Sequence, residues 1–225
     1  MSYLLRVVVP DRPGMLGALA TSLGASGADI VSIDVVHRSN GVAVDDIVVE
    51  LAPGGLPDGL ITAARLIDGV SVESLRPFSG TLDTHRELVL VEALAGSGPG
   101  VAQLLADELP RIFRASWALL VGCPPPYDGT SRVIASSSAA PEVVETEVEK
   151  FPWCPMKSPT LLDPEADGVP PIFALLGTQV MGAPMGDSRQ VVLVGRAGGP
   201  PFLRSELLRL AHLIGIATTV SAINA

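Results

Sequence analysis

The sequence predicts an α+β protein with two modules, each built around an antiparallel sheet. Apolar residues alternate with polar ones in segments 3–9 and 28–38, which is the period of half-buried strands. Apolar residues recur at helical spacing in segment 13–26, and a Pro-, Ser- and Gly-rich break interrupts the pattern before residue 83. Since 225 residues suit two modest domains, we predict two domains and a linker, at residues 1–78, 84–225 and 79–83.

The first module follows from its apolar periodicity in the order strand, helix, strand, strand, helix, strand. Met15, Leu19 and Leu23 share one face of the first helix. Asn40 and Gly41 lie between two β-branched segments and indicate a tight hairpin. The six elements are predicted at residues 3–9, 13–26, 28–38, 42–51, 56–68 and 70–75.

The turn between the first strand and the first helix has the chemistry of an amino-acid site. Backbone N–H groups at a helix start lack intrahelical partners and favour a carboxylate, and Gly14 allows close approach. Asp11 could pair with the ammonium group of the same ligand, or could instead cap the helix. The candidate site in this turn comprises Asp11, Arg12, Pro13, Gly14, Met15 and Leu16.

Residues 3–78 resemble an ACT domain, a small ligand-sensing module of amino-acid metabolism. Two stretches carry the resemblance, DRPGMLGAL from Asp11 and GADIVSI from Gly27. The resemblance implies a ferredoxin-like βαββαβ fold that binds ligands at domain interfaces, near the first turn and the start of the second strand. It adds Asp29 and Ile30 to the candidate site, where amino-acid-binding members often have Asn-Ile.

The second module begins with two helices separated by a glycine-rich turn at 96–100. In a dinucleotide fingerprint the third glycine follows the second by three residues, whereas here it follows by two, and Pro99 removes an amide. The sequence therefore favours a plain turn between helices over a phosphate cradle. The elements are predicted as helices at 84–96 and 100–114, strands at 115–121, 131–136, 171–182 and 190–197, and a terminal helix from Leu203.

This order of elements, with its strand, Pro-Phe and helix ending, resembles a GAF domain, another ligand-sensing fold with a central antiparallel sheet. The Asn-Lys-Phe-Asp signature of cyclic-nucleotide-binding members does not occur in the chain, so no cyclic nucleotide is inferred. Segment 138–170 lies between the strands. We predict that its glutamates form a solvated helix face and that Trp153 anchors a surface loop, and the alternative is a lid or pocket wall over an apolar ligand.

The sequence has none of the common catalytic or metal-binding motifs. It contains no G-x-S-x-G, H-E-x-x-H or Walker motif and no metal-ligand spacing, so we predict no catalytic residue, no metal and no cofactor. Asp45 and Asp46 point to opposite faces of a strand, cannot easily chelate one ion, and are predicted as solvent and edge residues. Cys123 and Cys154 are predicted as small structural residues.

Charge and hydropathy limit the partners that we expect. The net charge is -9 and no basic run occurs, which argues against nucleic-acid binding. No apolar run is long enough to span a membrane and no leader pattern is seen, so we expect a cytoplasmic protein.

These observations favour a non-catalytic regulatory protein that binds a small molecule, with an amino acid sensed by the ACT-like module. Because the strands of that module carry more β-branched surface than two helices cover, we expect a homodimer joined through it. One alternative is a regulatory subunit that docks on a partner enzyme of amino-acid biosynthesis. The other is an enzyme with its active site in the second module.

Overall fold

The computed structural model describes residues 1–78, 86–123, 131–143, 151, 153–186 and 189–223. The fold is α+β, as predicted, and its strands pair antiparallel in two separate sheets. The chain divides into two compact units, Met1–Asp83 and Thr84–Ala225. The predicted linker at 79–83 lies outside the described residues, and the independent folding of the two domains stays a prediction.

The first unit has the βαββαβ order that its periodicity predicts. Its sheet has the strand order β2-β3-β1-β4, so β3 and β1 are central and β2 and β4 are edges. The elements are β1 (Ser2–Pro10), α1 (Met15–Ala25), β2 (Ala28–Ser39), β3 (Val42–Leu51), α2 (Asp58–Arg65) and β4 (Ser71–Pro77).

The core of the first unit lies between the sheet and its two helices. Leu5 and Val7 of β1 are fully buried and pack with Leu19 of α1 and Leu60 of α2. The odd-numbered residues of β1 therefore face the helices, and the even-numbered ones face the other side. We call these the helix-covered face and the opposite face.

Turn chemistry sets the ends of the elements in this unit. Asn40 and Gly41 have φ of 53° and 78°, the pair of positive values that a tight type I′ hairpin requires. Helix α1 begins at Met15, two residues later than predicted, because Gly14 takes the left-handed conformation, with φ of 91°, as the N-cap. Pro13 consequently precedes the helix and does not form its first turn.

The second unit has a five-stranded sheet in the order β6-β5-β9-β8-β7. The glycine-rich turn at 96–100 connects two helices through a short 3₁₀ segment, Gly98–Gly100. The elements are α3 (Arg86–Gly96), α4 (Val101–Ile112), β5 (Trp117–Gly122), β6 (Arg132–Ser136), β7 (Thr160–Leu162), α5 (Pro171–Leu175), β8 (Thr178–Met185), β9 (Gln190–Ala197) and α6 (Arg204–Ile223).

One predicted strand of the second unit is wrong in its first half. The sequence predicts a strand over 171–182, but the structure has helix α5 at Pro171–Leu175 and begins β8 only at Thr178. A proline at the first helical position favours a helix start, and Gly177, with φ of 56°, ends the helix and turns the chain into β8. The sequence prediction also omits the three-residue strand β7.

Apolar clusters cover both faces of the second sheet. Helices α3, α4 and α6 pack on one face, with residues such as Leu105, Val194 and Leu210 between them. On the other face, Trp117 contacts Phe173 with their ring centroids 4.9 Å apart. Trp153 is half-buried against this second cluster and stacks on Phe151, so the described part of segment 138–170 lies against the sheet.

A disulfide between Cys123 and Cys154 joins the end of β5 to this covering segment. The cysteines are 31 residues apart and belong to no recognisable motif, so their sequence spacing does not indicate the pair. Only the fold, which brings their Cα atoms to 5.4 Å, reveals it.

A buried ion pair fixes the start of α6 on the sheet. Arg196 of β9 is fully buried and donates to the Glu206 carboxylate at 2.7 Å. It also donates to the carbonyl oxygens of Phe113 at 2.8 Å and Pro200 at 3.2 Å. Glu206 in turn accepts the Leu203 N–H at 2.8 Å and caps the helix start.

Candidate functional site

The turn from β1 into α1 presents free backbone N–H groups beside an uncrowded glycine. The first helical hydrogen bond runs from the Ala18 N–H to the Gly14 carbonyl at 2.9 Å. Among the described residues, the N–H groups of Leu16 and Gly17 have no hydrogen-bond partner, and no side chain caps the helix. A Cβ atom on Gly14 would meet nothing within 4 Å, so the space beside this glycine is open. This arrangement suits a small anion.

Asp11 is held by an arginine and does not cap the helix. Arg38 at the end of β2 donates to its two carboxylate oxygens at 2.5 and 3.1 Å. That bidentate hydrogen bond lowers the pKa of Asp11, so the carboxylate stays ionised. The capping alternative is wrong because Gly14, three residues further on, is the N-cap.

The remaining residues of the turn have different exposures. Arg12, Pro13 and Gly14 are exposed, and the Arg12 Nε lies 3.3 Å from the Met15 sulfur. Met15 is buried in the core of the unit, whereas Leu16 is 38% exposed. Met15 therefore anchors the helix, and Leu16 is the apolar side chain of the turn that faces solvent.

The two residues that the ACT resemblance adds lie far from this turn within one chain. Asp29 pairs with Glu50, which pairs with Ser2 at the start of β1. The turn instead follows Pro10, at the other end of that strand. Eight residues of strand, or about 27 Å at roughly 3.4 Å per residue, separate the two ends. Ile30 is half-buried against the helix-covered core, and Asp29 is exposed.

The acidic pair on β3 is buried, which corrects the prediction that Asp45 and Asp46 are solvent and edge residues. Asp45 is 0% and Asp46 1% exposed, and β3 is a central strand and not an edge. On the opposite face, Asp46 accepts two hydrogen bonds from Arg6, at 2.7 and 2.9 Å. Asp45 alternates with Ala43 and lies on the helix-covered face.

Asp45 differs from its neighbour because neither of its carboxylate oxygens has a hydrogen-bond partner among the described residues. Burial raises its pKa, the positive charge of Arg38 lowers it, and the negative charges of Asp11 and Asp46 raise it further. The sequence shows two acids in a β-branched strand, but only the strand order reveals that both are buried.

The described part of the chain has neither a metal-ligand cluster nor a membrane-spanning helix. There, no group of three or more His, Cys, Asp or Glu residues is arranged to hold a metal ion. No helix within the described ranges is both long enough and apolar enough to cross a membrane.

Neither a family model nor a curated protein matches the chain. Among solved structures, it is similar to a formyltetrahydrofolate deformylase from Pseudomonas putida KT2440, at 11% identity and a TM-score of 0.29. That match covers 40% of this chain and only 36% of the deformylase.

Two further similar structures are a GAF domain and a chromophore-binding domain. The GAF domain of a phosphoenolpyruvate-protein phosphotransferase from Coxiella burnetii is 13% identical, with a TM-score of 0.44, over 63% of this chain and 94% of that one. The chromophore-binding domain of a bacteriophytochrome from R. palustris is 12% identical, with a TM-score of 0.42, over 99% of this chain and 92% of that one. At these TM-scores no functional role is transferred from the three proteins.

Proposed function

We propose that this protein is a non-catalytic regulator that binds a free amino acid at the turn between β1 and α1 of an ACT-like domain. The observation that carries the proposal is that the N–H groups of Leu16 and Gly17 have no hydrogen-bond partner among the described residues and lie close to Gly14, where the Cβ position is open. They provide hydrogen-bond donors and the positive end of a helix dipole for the ligand carboxylate. Arg38, with its 63% exposed side chain, adds positive charge nearby.

The proposal includes a homodimer formed by pairing two copies of the edge strand β2. Val31, Ile33 and Val35 on this strand are 48%, 37% and 50% exposed, and an unpaired apolar edge favours association. A two-fold antiparallel pairing would bring the start of one β2 to the end of the other. Asp29 and Ile30 of one copy would then approach Arg38 of its partner, which explains how separated residues could belong to one site.

A thermal-shift screen with the twenty amino acids tests the binding proposal. We expect at least one amino acid to raise the Tm, since a ligand at a hundred times its Kd stabilises a protein by about 2.7 kcal/mol. Gly14→Val places a side chain in front of the amides and should abolish the shift. The matched control is Gly54→Val, because Gly54 also has a positive φ and open space around its Cβ position. Loss of the shift in both variants, or no shift in the wild type, contradicts the proposal.

Sedimentation tests the dimer separately. We expect the wild type to be dimeric at micromolar concentration and Val35→Lys to be monomeric, because the lysine places charge on the exposed edge. Leu66→Lys is the control, since Leu66 is 78% exposed on the same unit but lies outside β2. A wild type that stays monomeric at high micromolar concentration, with and without amino acids, refutes this part of the proposal.

A further inference from the structure

Asp45 is a carboxylate in an unusual position. It is fully buried in the middle of a central strand, and neither oxygen has a hydrogen-bond partner among the described residues. An unsatisfied buried acid costs stability, so proteins usually pair or replace it. Asp46, one residue later, shows the usual solution, because Arg6 satisfies both of its oxygens.

Two of the charged residues that act on Asp45, Arg38 and Asp11, belong to the amino-acid site proposed above. Arg38 of β2 is paired with Ala43 of β3. Asp11 directly follows β1, which lies on the other side of β3. The Arg38–Asp11 ion pair must therefore cross β3, and it does so on the helix-covered face, because Ala43 belongs to that core. Asp45 is the next residue of β3 on the same face.

This ion pair is weak enough to be opened by a ligand. The side chains of Arg38 and Asp11 are 63% and 32% exposed, and an ion pair this exposed contributes little to stability because water and salt screen its charges. If a ligand opened the pair, the Arg38 and Asp11 side chains would no longer cross β3 beside Asp45. The Arg38 guanidinium and the Asp45 carboxylate would then both be available to the ligand.

The chemistry of Asp45 selects the kind of group that it would bind. An ionised carboxylate only accepts hydrogen bonds, and its favoured partners are N–H donors that carry positive charge. Within the described residues, Asp45 belongs to no cluster of three potential metal ligands. A primary ammonium group is therefore a better match than a metal ion.

We propose that Asp45 accepts the ammonium group of a free amino acid whose carboxylate binds the Leu16 and Gly17 amides. This inference rests on the function proposed above and makes Asp45 the specificity residue for the amine. Asp11, already held by Arg38, is then part of the entrance and not the ammonium acceptor.

Calorimetric titration tests this assignment with matched pairs of ligands. Each of the twenty L-amino acids is titrated beside the carboxylic acid that lacks its α-amino group, such as L-alanine with propionate and L-phenylalanine with 3-phenylpropionate. The wild type should prefer the amino acid by at least about tenfold, because a charged hydrogen bond is lost without the amine. Asp45→Asn should lose that preference and keep its affinity for the deaminated acid. Asp68→Asn, which changes an exposed acid of the same unit, should behave as wild type.

The outcomes separate this inference from the proposed function. If Asp45→Asn keeps the preference, or weakens both members of a pair equally, Asp45 is not the ammonium acceptor although the amino-acid site remains. If the wild type binds no amino acid, both proposals are wrong. Should the variant fail to fold, the wild type alone decides, since equal affinity for an amino acid and its deaminated partner overturns the inference.

Discussion

The buried pair of Arg196 and Glu206 gives a quantitative test of the second unit. Arg196→Met removes the guanidinium that pairs with Glu206. The Glu206 side chain, which is only 6% exposed, then keeps its negative charge without that partner. The carbonyl oxygens of Phe113 and Pro200 also lose a donor. Breaking a buried pair by removing one partner costs about 3 to 5 kcal/mol. In a unit of this size that loss lowers the Tm by about 10 to 15 °C.

The assay uses tryptophan fluorescence during denaturant unfolding. The two tryptophans of the chain, Trp117 and Trp153, both lie in the second unit, so the signal reports on that unit. Arg111→Met is the control. The side chain of Arg111 is 64% exposed in its ion pair with Glu108, so this substitution should lower the free energy of unfolding by less than about 1 kcal/mol.

A double variant isolates the charge effect. Glu206→Gln keeps an oxygen that can accept the Leu203 N–H but removes the buried charge. Arg196→Met combined with Glu206→Gln should therefore be more stable than Arg196→Met alone, with about 1 to 3 kcal/mol still lost through unsatisfied carbonyl groups. The reasoning is refuted if Arg196→Met costs no more than Arg111→Met, or if the second change does not restore stability.

Three further predictions concern other buried features. The pKa of Asp45 is raised in the folded state, so the folded protein binds the Asp45 proton more tightly than the unfolded chain does. The stability that this proton contributes is therefore present at low pH and is lost as the pH rises through the raised pKa. Urea unfolding followed by circular dichroism between pH 4 and 7 should show this loss in the wild type and not in Asp45→Asn. Gly195→Ala would place its Cβ 2.0 Å from the Trp117 ring, so we expect the free energy of unfolding to fall by at least about 1 to 3 kcal/mol. Fluorescence-monitored unfolding measures this loss, and an unchanged midpoint would contradict the packing of Gly195 against Trp117. Reduction of the Cys123–Cys154 disulfide, whose cysteines are 31 residues apart, should lower the free energy of unfolding by about 3 to 4 kcal/mol. Unfolding with and without dithiothreitol measures this difference, and equal midpoints would count against the bond.

The sequence by itself determined the local structure of the first unit. Alternating apolar residues place each strand within about two residues of its observed bounds, because side-chain period follows backbone geometry. Asn40 and Gly41 specify the hairpin, since few residues adopt a positive φ. The sequence likewise places a helix start close to Gly14, which is the N-cap of α1, and the anion site there stays a prediction.

Tertiary structure decided which of those residues meet and which are buried. The order β2-β3-β1-β4 makes β3 a central strand, and Asp45 and Asp46 are both buried on it, whereas the sequence predicts solvent and edge residues. The same order brings Arg38 to Asp11 and leaves Asp29 at the far end of the sheet. Strand order depends on contacts between residues that are distant in the chain, and the period of a single strand carries no information about its neighbours. For that reason, the sequence predicts an anion site at the turn between β1 and α1, but only the fold shows a buried acid on the neighbouring strand β3.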